Sequence, residues 1–318
     1  MEVATVLVLF ALGFFILVKG AQVLVHGAVT VANIFKVSTW FIGAVIVSIG
    51  TSIPEFSINL ASVFSNNDVG IATILGSNIF NVLMVLGIMA IVSPVIMQRS
   101  WIMRDLVTFI FITLGASAFI LLPIFGPKDF YGITSIEAMV LTGVFIVWLA
   151  NMIRSWDEAQ ENLDFEVVTV FTAIMMIIGG LLGVFIGGNW VVDGAVLIAT
   201  IIGVSPSTIG FTVVALGTSL PELVVSLVAL KKGTFGIAVG NIVGSSIFNL
   251  LGVLGITGMI QAIPITEGSI LIDVGFVVFA ALLWLLFMFT GKKYTISKTE
   301  GYLFVLLYII FITSLFFR

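Results

Sequence analysis

The sequence predicts an all-α integral membrane protein: ten transmembrane helices, built as two inverted five-helix repeats. Three observations carry that reading. The 318 residues are 60 % hydrophobic and 9 % charged, with a mean hydropathy of +1.31, whereas soluble domains hold about 45–50 % apolar and about 25 % charged residues. Apolar runs recur between short polar breaks, and a run of ~20 residues suffices to cross ~30 Å of hydrocarbon as a helix. The chain also matches itself when slid by 167 residues.

The spans are expected at 3–24, 39–64, 71–93, 105–123, 134–153, 167–190, 206–230, 236–259, 269–290 and 301–317. The first opens with MEVATVLVLF, which has no basic start and no small-residue cleavage site, so it reads as a retained helix and not a signal peptide. The second carries IGAVIVSIGTSIPE at 42–55 and the third GSNIFN at 76–81. The fourth and fifth are plain apolar runs, and the stretch RSWDEAQENLDFE at 154–166, with five acidic residues, joins the halves as a solvated linker. It lacks the spacing of a calcium-binding loop.

The sixth span rewrites the first: Gly13, Gly20 and Gly27 fall on Gly180, Gly187 and Gly194, and HGAV at 26–29 falls on DGAV at 193–196. The seventh repeats the second as IGFTVVALGTSLPE at 209–222, and the eighth repeats GSNIFN as GSSIFN at 244–249 after a shift of 168. The ninth and tenth complete a second half, so that 1–153 and 167–318 are the two repeats. An odd number of spans per half forces the second half into the bilayer from the opposite side, which places a pseudo-two-fold axis in the membrane plane. The glycine series is expected to permit close helix contact.

Basic residues set the orientation. Lys36, Arg99, Arg104, Arg154, Lys231, Lys232, Lys292, Lys293 and Lys298 lie on one side, against Lys128 and Arg318 on the other. The first group is expected in the cytoplasm, with both termini outside and the linker cytoplasmic. Lys19, late in the first span, is placed to snorkel to the cytoplasmic interface. The absence of cysteine excludes disulfides and thiolate metal sites.

Proline inside a helix removes a backbone donor and frees the carbonyl four residues back, here those of Gly50 and Gly217. Freed carbonyls in hydrocarbon must line a cavity or meet a ligand. Glu55 and Glu222 follow directly, and a carboxylate at mid-membrane costs several kcal/mol unless it is compensated. Ser48, Thr51, Ser52 and Glu55 share one helix face by their spacing, as do Ala215, Thr218, Ser219 and Glu222. Ser77 and Asn81 form an i, i+4 pair that Ser245 and Asn249 repeat. The set is all oxygen, which suits hard cations such as calcium or sodium, and its charge of −2 balances one calcium or two sodium ions. His26 and Asp193 occupy matching positions outside the motifs and read as rim or packing groups.

At these doubled motifs, G-T-S-[IL]-P-E and G-S-x-I-F-N, the chain resembles the calcium/cation antiporter superfamily, specifically prokaryotic sodium/calcium exchangers. The resemblance covers essentially the whole chain and equates 43–81 and 210–249 with the two alpha-repeats of that family. It implies that Glu55 and Glu222 centre four clustered sites, one preferring calcium and the others sodium. By the same resemblance Thr51, Ser52, Ser77 and Asn81, with Thr218, Ser219, Ser245 and Asn249, complete the ligand set, and carbonyls of Ser48 and Ala215 contribute. Helices 1 and 6 would be the moving unit. Two departures stand out: Asn at 249, where some relatives, including potassium-dependent ones, carry Asp, and ATILGSN at 72–78, which lacks the Gly-Asn pair of GNIVGSS at 240–246.

The expected activity is obligate sodium-for-calcium exchange at the plasma membrane, electrogenic if three sodium ions move per calcium, with no cofactor, nucleic acid or obligate protein partner. A calcium/proton antiporter is the alternative. A passive channel and an intramembrane enzyme are disfavoured, the latter because no nucleophile or substrate pocket accompanies the carboxylates. Asn59, Ser62 and Ser65 extend from Glu55 towards the outside, and Ser226 from Glu222 towards the cytoplasm, as expected access paths.

Overall fold

The computed structural model describes residues 3–65, 69–122, 124–127, 130–155, 168–203, 215–265 and 270–315. Its long elements are helical: α1 (Val3–Phe35), α2 (Thr39–Thr51), α3 (Ile53–Ser65), α4 (Val69–Val92), α5 (Trp101–Leu121), α6 (Ser135–Arg154), α7 (Val170–Ile201), the short α8 (Ala215–Gly217), α9 (Leu220–Lys231), α10 (Phe235–Ile260), α11 (Ile270–Phe289) and α12 (Lys298–Leu315). Eight of these are long and apolar enough to span a membrane, and α2 with α3 form one further bent candidate. The seventh expected span is represented by α8 and α9, and its positions 206–214 lie outside the described residues, as does 156–166 of the linker.

Three expected spans differ from the sequence reading. The second span is not one helix: it bends by 46° between α2 and α3, at Ser52. Pro54 has no N–H for the Gly50 carbonyl, so the ladder breaks where the proline dictates. The first and sixth spans run on past the expected ends at 24 and 190, to Phe35 and Ile201. At 1.5 Å per residue such helices reach about 50 Å, and a helix longer than the hydrocarbon is ~30 Å thick fits by tilting. Polar residues such as His26 and Asp193 mark the edge of the apolar window, not the end of the helix.

α1 and α7 pack along their lengths, and the glycine series lies in that contact. A Cβ on Gly13 would sit 2.9 Å from the Gly187 carbonyl, one on Gly20 2.9 Å from the Gly180 carbonyl, one on Gly27 2.8 Å from the Ala173 carbonyl, and one on Gly194 would strike Phe10. Contacts that fall in chain number on α7 as they rise on α1 mean that the helices are antiparallel. The contact is also self-complementary, since Gly13 and Gly20 meet the repeat equivalents of each other. α2 lies beside α10 in the same direction, its backbone from Thr39 to Ala44 against Gly236, Gly240 and Gly244.

Short antiparallel strand pairs tie the halves together. β1 (Val95–Ile96) pairs with β4 (Thr295–Ile296), and β2 (Gly132–Ile133) pairs with β3 (Ile263–Pro264). β1 and β3 occupy equivalent repeat positions, 168 residues apart, so each half offers the same segment to a different partner. Matching capping boxes open α6 and α12: Glu137 accepts from the Thr134 N–H at 2.9 Å, and Glu300 from the Ser297 N–H at 2.7 Å.

The close α1–α7 contact predicts an asymmetric response to one added methyl group. Gly180→Ala puts a Cβ 2.5 Å from the Leu24 amide nitrogen, whereas Gly179→Ala meets nothing within 4 Å. Thermal melting in detergent should show Gly180→Ala destabilised by about 1–3 kcal/mol, the usual penalty of overpacking, and Gly179→Ala unchanged or slightly stabilised.

Candidate functional site

The helix breaks bring both hexapeptides to the centre of the molecule. Glu55 lies in the first turn of α3 and Glu222 in the first turn of α9, each just past its break, and both are fully buried. α4 and α10 face them through wide π-type turns at Phe80–Val85 and Phe248–Val253, again 168 residues apart. Asn81 and Asn249 sit in these turns. Such turns leave backbone groups off the regular ladder and recur at functional sites.

The carboxylates are held crosswise. Glu55 Oε1 accepts from Ser77 Oγ at 3.2 Å and from Ser219 Oγ, of the other half, at 3.1 Å. Glu222 Oε1 accepts from Ser245 Oγ at 3.4 Å and from Ser52 Oγ, of the first half, at 3.2 Å. Ser219 and Ser77 hydroxyls are 2.9 Å apart, and the Thr51 and Ser245 hydroxyls 3.4 Å apart. The Ser48 carbonyl accepts from Thr51 at 3.2 Å and from Ser245 at 3.3 Å. The structure therefore gathers these residues into two hydrogen-bonded groups, Ser77, Ser219 and Asn249 with Glu55, and Ser48, Thr51, Ser52 and Ser245 with Glu222.

The remaining expected residues are placed less tightly. Asn81 is buried and its amide makes no hydrogen bond, Thr218 is half-buried at the turn between α8 and α9, and Ala215 begins α8. His26 is half-buried on α1 and Asp193 exposed on α7, in keeping with roles outside the cluster. Of the residues expected to line access paths, Asn59, Ser62 and Ser226 are buried and bonded, Asn59 to Thr257 at 2.6 Å, Ser62 to the Gly70 N–H at 2.9 Å and Ser226 to Asn241 at 3.1 Å, whereas Ser65 is exposed.

Two further residues of these groups escaped the sequence reading. Asn241 accepts from Thr51 Oγ1 at 3.2 Å and reaches the Glu222 carbonyl at 3.4 Å. Asn78 bonds to Asn249 at 3.1 Å and to the Ser246 carbonyl at 3.1 Å. For Asn241 the signal was available, because 241, 245 and 249 repeat at i, i+4 on one helix face. Asn78 follows Ser77 on a different face, and only the fold shows that this face meets α10.

What distinguishes the cluster chemically is the set of oxygens left over. Glu55 Oε2, Glu222 Oε2, Asn81 Oδ1 and Asn249 Oδ1 are buried with no hydrogen-bond partner. Buried carboxylates elsewhere are engaged, Asp105 by Arg104 at 2.9 Å and Glu137 by the cap of its own helix. An uncompensated buried charge costs several kcal/mol, so oxygens of this kind call for a cation. Among the described residues no group of three or more His, Cys, Asp or Glu assembles. The donor set is thus two carboxylates with neutral hydroxyl and amide oxygens, a hard-cation environment.

Comparison with known proteins agrees with this chemistry. The family model described as sodium/calcium exchanger protein matches residues 5–154 and 172–317. An uncharacterized membrane protein of Methanocaldococcus jannaschii is 36 % identical, over 96 % of this chain and 96 % of its own. The sodium/calcium exchanger MaX1 of Methanosarcina acetivorans is 27 % identical, over 96 % and 97 %. The solved structure of a sodium/calcium exchanger from Methanococcus jannaschii superposes with a TM-score of 0.83 at 31 % identity, covering 98 % of this chain and 99 % of that one.

Removing one buried charge should relieve the ion-free protein. In sodium- and calcium-free buffer, Glu55→Gln is expected to melt a few degrees above the unmodified protein, and added calcium should stabilise the unmodified protein but not the variant. The site's geometry and these matches together show that the chain belongs to the sodium/calcium exchanger protein family.

Proposed function

We propose that the chain exchanges sodium for calcium across the plasma membrane by alternating access, through ion sites formed by Glu55 and Glu222 with Ser48, Thr51, Ser52, Ser77, Asn81, Ala215, Thr218, Ser219, Ser245 and Asn249. The observation that carries this is the pair of fully buried carboxylates, each with one unpartnered oxygen and each clasped by a serine of the opposite half. Calcium takes 6–8 oxygens at about 2.3–2.6 Å, and carboxylate, hydroxyl, amide and carbonyl oxygens converge here from α2, α3, α4, α9 and α10.

Obligate exchange follows from electrostatics. Closing the protein over two uncompensated carboxylates costs several kcal/mol for each ion, so the empty carrier does not switch sides. Calcium and sodium use the same carboxylates and therefore compete. Exit of one requires entry of the other. With three sodium ions per calcium one positive charge moves per cycle, and at ~2.3 kcal/mol per charge per 100 mV the membrane potential favours calcium export.

The inverted-repeat architecture, with ten spans and both termini outside, supplies the motion. Antiparallel packing of α1 on α7 and the exchanged strand pairs β1–β4 and β2–β3 support it. α1 also lies against α9, and Lys232 Nζ donates to the Gln22 carbonyl at 3.0 Å. The repeat equivalents of these two residues, Ser65 and Asn189, are exposed. This asymmetry fits a state closed on the cytoplasmic side, in which the α1–α7 unit must slide to close the outer side instead.

Calcium uptake into vesicles against an imposed sodium gradient, with protons clamped by an ionophore, tests the assignment. Sodium-dependent uptake is expected, together with its loss in Glu55→Gln and in Glu222→Gln. Uptake that follows the proton gradient and ignores sodium would replace this reading with calcium/proton antiport; uptake retained by either variant would remove its carboxylate from the site.

A further inference from the structure

An amide ligates a cation only through its oxygen, yet its two ends have nearly the same shape, so the surrounding hydrogen bonds decide which end faces the ion. At Asn249 that decision is made by a residue outside the ligand set. Asn249 Nδ2 donates to Asn78 Oδ1 at 3.1 Å and lies 3.3 Å from Ser77 Oγ. Asn78 is itself fixed, because its Nδ2 donates to the backbone carbonyl of Ser246 at 3.1 Å, a group that can only accept. The polarity therefore runs one way, from carbonyl to Asn78 to Asn249, and leaves Asn249 Oδ1 buried without a partner.

The other half lacks this device. The repeat equivalent of Asn78 is Ser246, 168 residues on, and the equivalent of Asn249 is Asn81. Ser246 Oγ and both amide atoms of Asn81 are buried with no hydrogen-bond partner. One amide is oriented before any ion arrives, and its counterpart is not. The difference matters because Glu55 is one hydroxyl away: Ser77 Oγ, beside Asn249 Nδ2, donates to Glu55 Oε1 at 3.2 Å. In an ion-free site, nearby carboxylates attract an amide N–H and would turn the oxygen away.

We infer that Asn78 is a positioning residue for the exchange: it holds the Asn249 amide with its oxygen towards the ion against the pull of the carboxylates, while Asn81 turns as the load changes. This rests on the ion-site assignment proposed above. Holding a binding-competent orientation raises apparent affinity by the inverse of the fraction otherwise competent, so loss of Asn78 acts on affinity before rate. Calcium should feel it more than sodium, because its double charge interacts more strongly with the amide dipole.

Calcium titration calorimetry on the full chain in detergent, without sodium, tests the inference through a double-mutant cycle. Asn78→Ser, which installs the residue of the other half, should weaken calcium binding by about fivefold or more when position 249 is Asn. In the Asn249→Asp background either carboxylate oxygen can face the ion, so Asn78→Ser should weaken binding by less than about twofold or even improve it. Equal losses in both backgrounds would mean that Asn78 is only structural; no loss with Asn249 would overturn the inference outright. Should Asn78→Ser not fold, Ser246→Asn serves in its place: it should orient Asn81 and tighten calcium binding, and an unchanged affinity contradicts the mechanism. Absence of calcium binding in the unmodified protein would instead sink the ion-site assignment itself.

Discussion

Burial of two negative charges in a low-dielectric interior is the constraint that organises this molecule. Glu55 and Glu222 have no exposed surface, and the hydroxyls of Ser52, Ser77, Ser219 and Ser245 donate to them, which softens a charge without cancelling it. Each carboxylate takes one serine from its own half and one from the other. That crossing makes the site a property of the interface between halves, because neither repeat alone completes the first coordination of its own glutamate. Any movement of one half against the other must then reshape both sites at once.

The backbone is shaped to the same end. Prolines 54 and 221 break their helices one turn ahead of the glutamates, and the wide turns in α4 and α10 carry the facing asparagines. Both devices cost regular hydrogen bonding inside hydrocarbon, and a structure tolerates that cost where the loosened groups face a polar interior. Wide turns of the same kind also occur at Ile42–Val47 and Trp101–Leu106, and the helices around the cluster are tightly seated. Glycines let α2 approach α10 and α1 approach α7 until backbones touch, so the irregular centre is clamped by a stiff surround.

Much of this was legible in the sequence because duplication and hydropathy are strong signals. The apolar runs, the doubled hexapeptide and the i, i+4 spacing of Ser77 and Asn81 can be read along one helix at a time, and the structure places Ser77 and the hexapeptide serines on the buried glutamates. The glycine series was also readable, though not its partners. What spacing could not show were relations between helices: that Ser52 would serve Glu222 and not Glu55, that Asn78 would meet α10, or that α1 and α7 would outrun the hydrophobic window. The break at Ser52 was implied by Pro54, yet its 46° bend depends on what the two halves of the span pack against.

A duplicated site invites the assumption of symmetry, and the departures from it carry information that the repeats do not. Asn241 is buried among the groups around Glu222, whereas its equivalent Thr73 is half-buried and bonds back to its own helix at 2.8 Å. Lys232 fastens to α1, and its equivalent Ser65 is exposed. Asn78 orients an amide, and Ser246 orients none. In the inverted arrangement proposed above, equivalent positions would face opposite sides of the membrane, so each such difference would give the outward-facing and inward-facing states different energies. A carrier with identical halves would open equally to either side; the substitutions that accumulated after duplication are therefore where a preferred resting side and a preferred ion must be encoded.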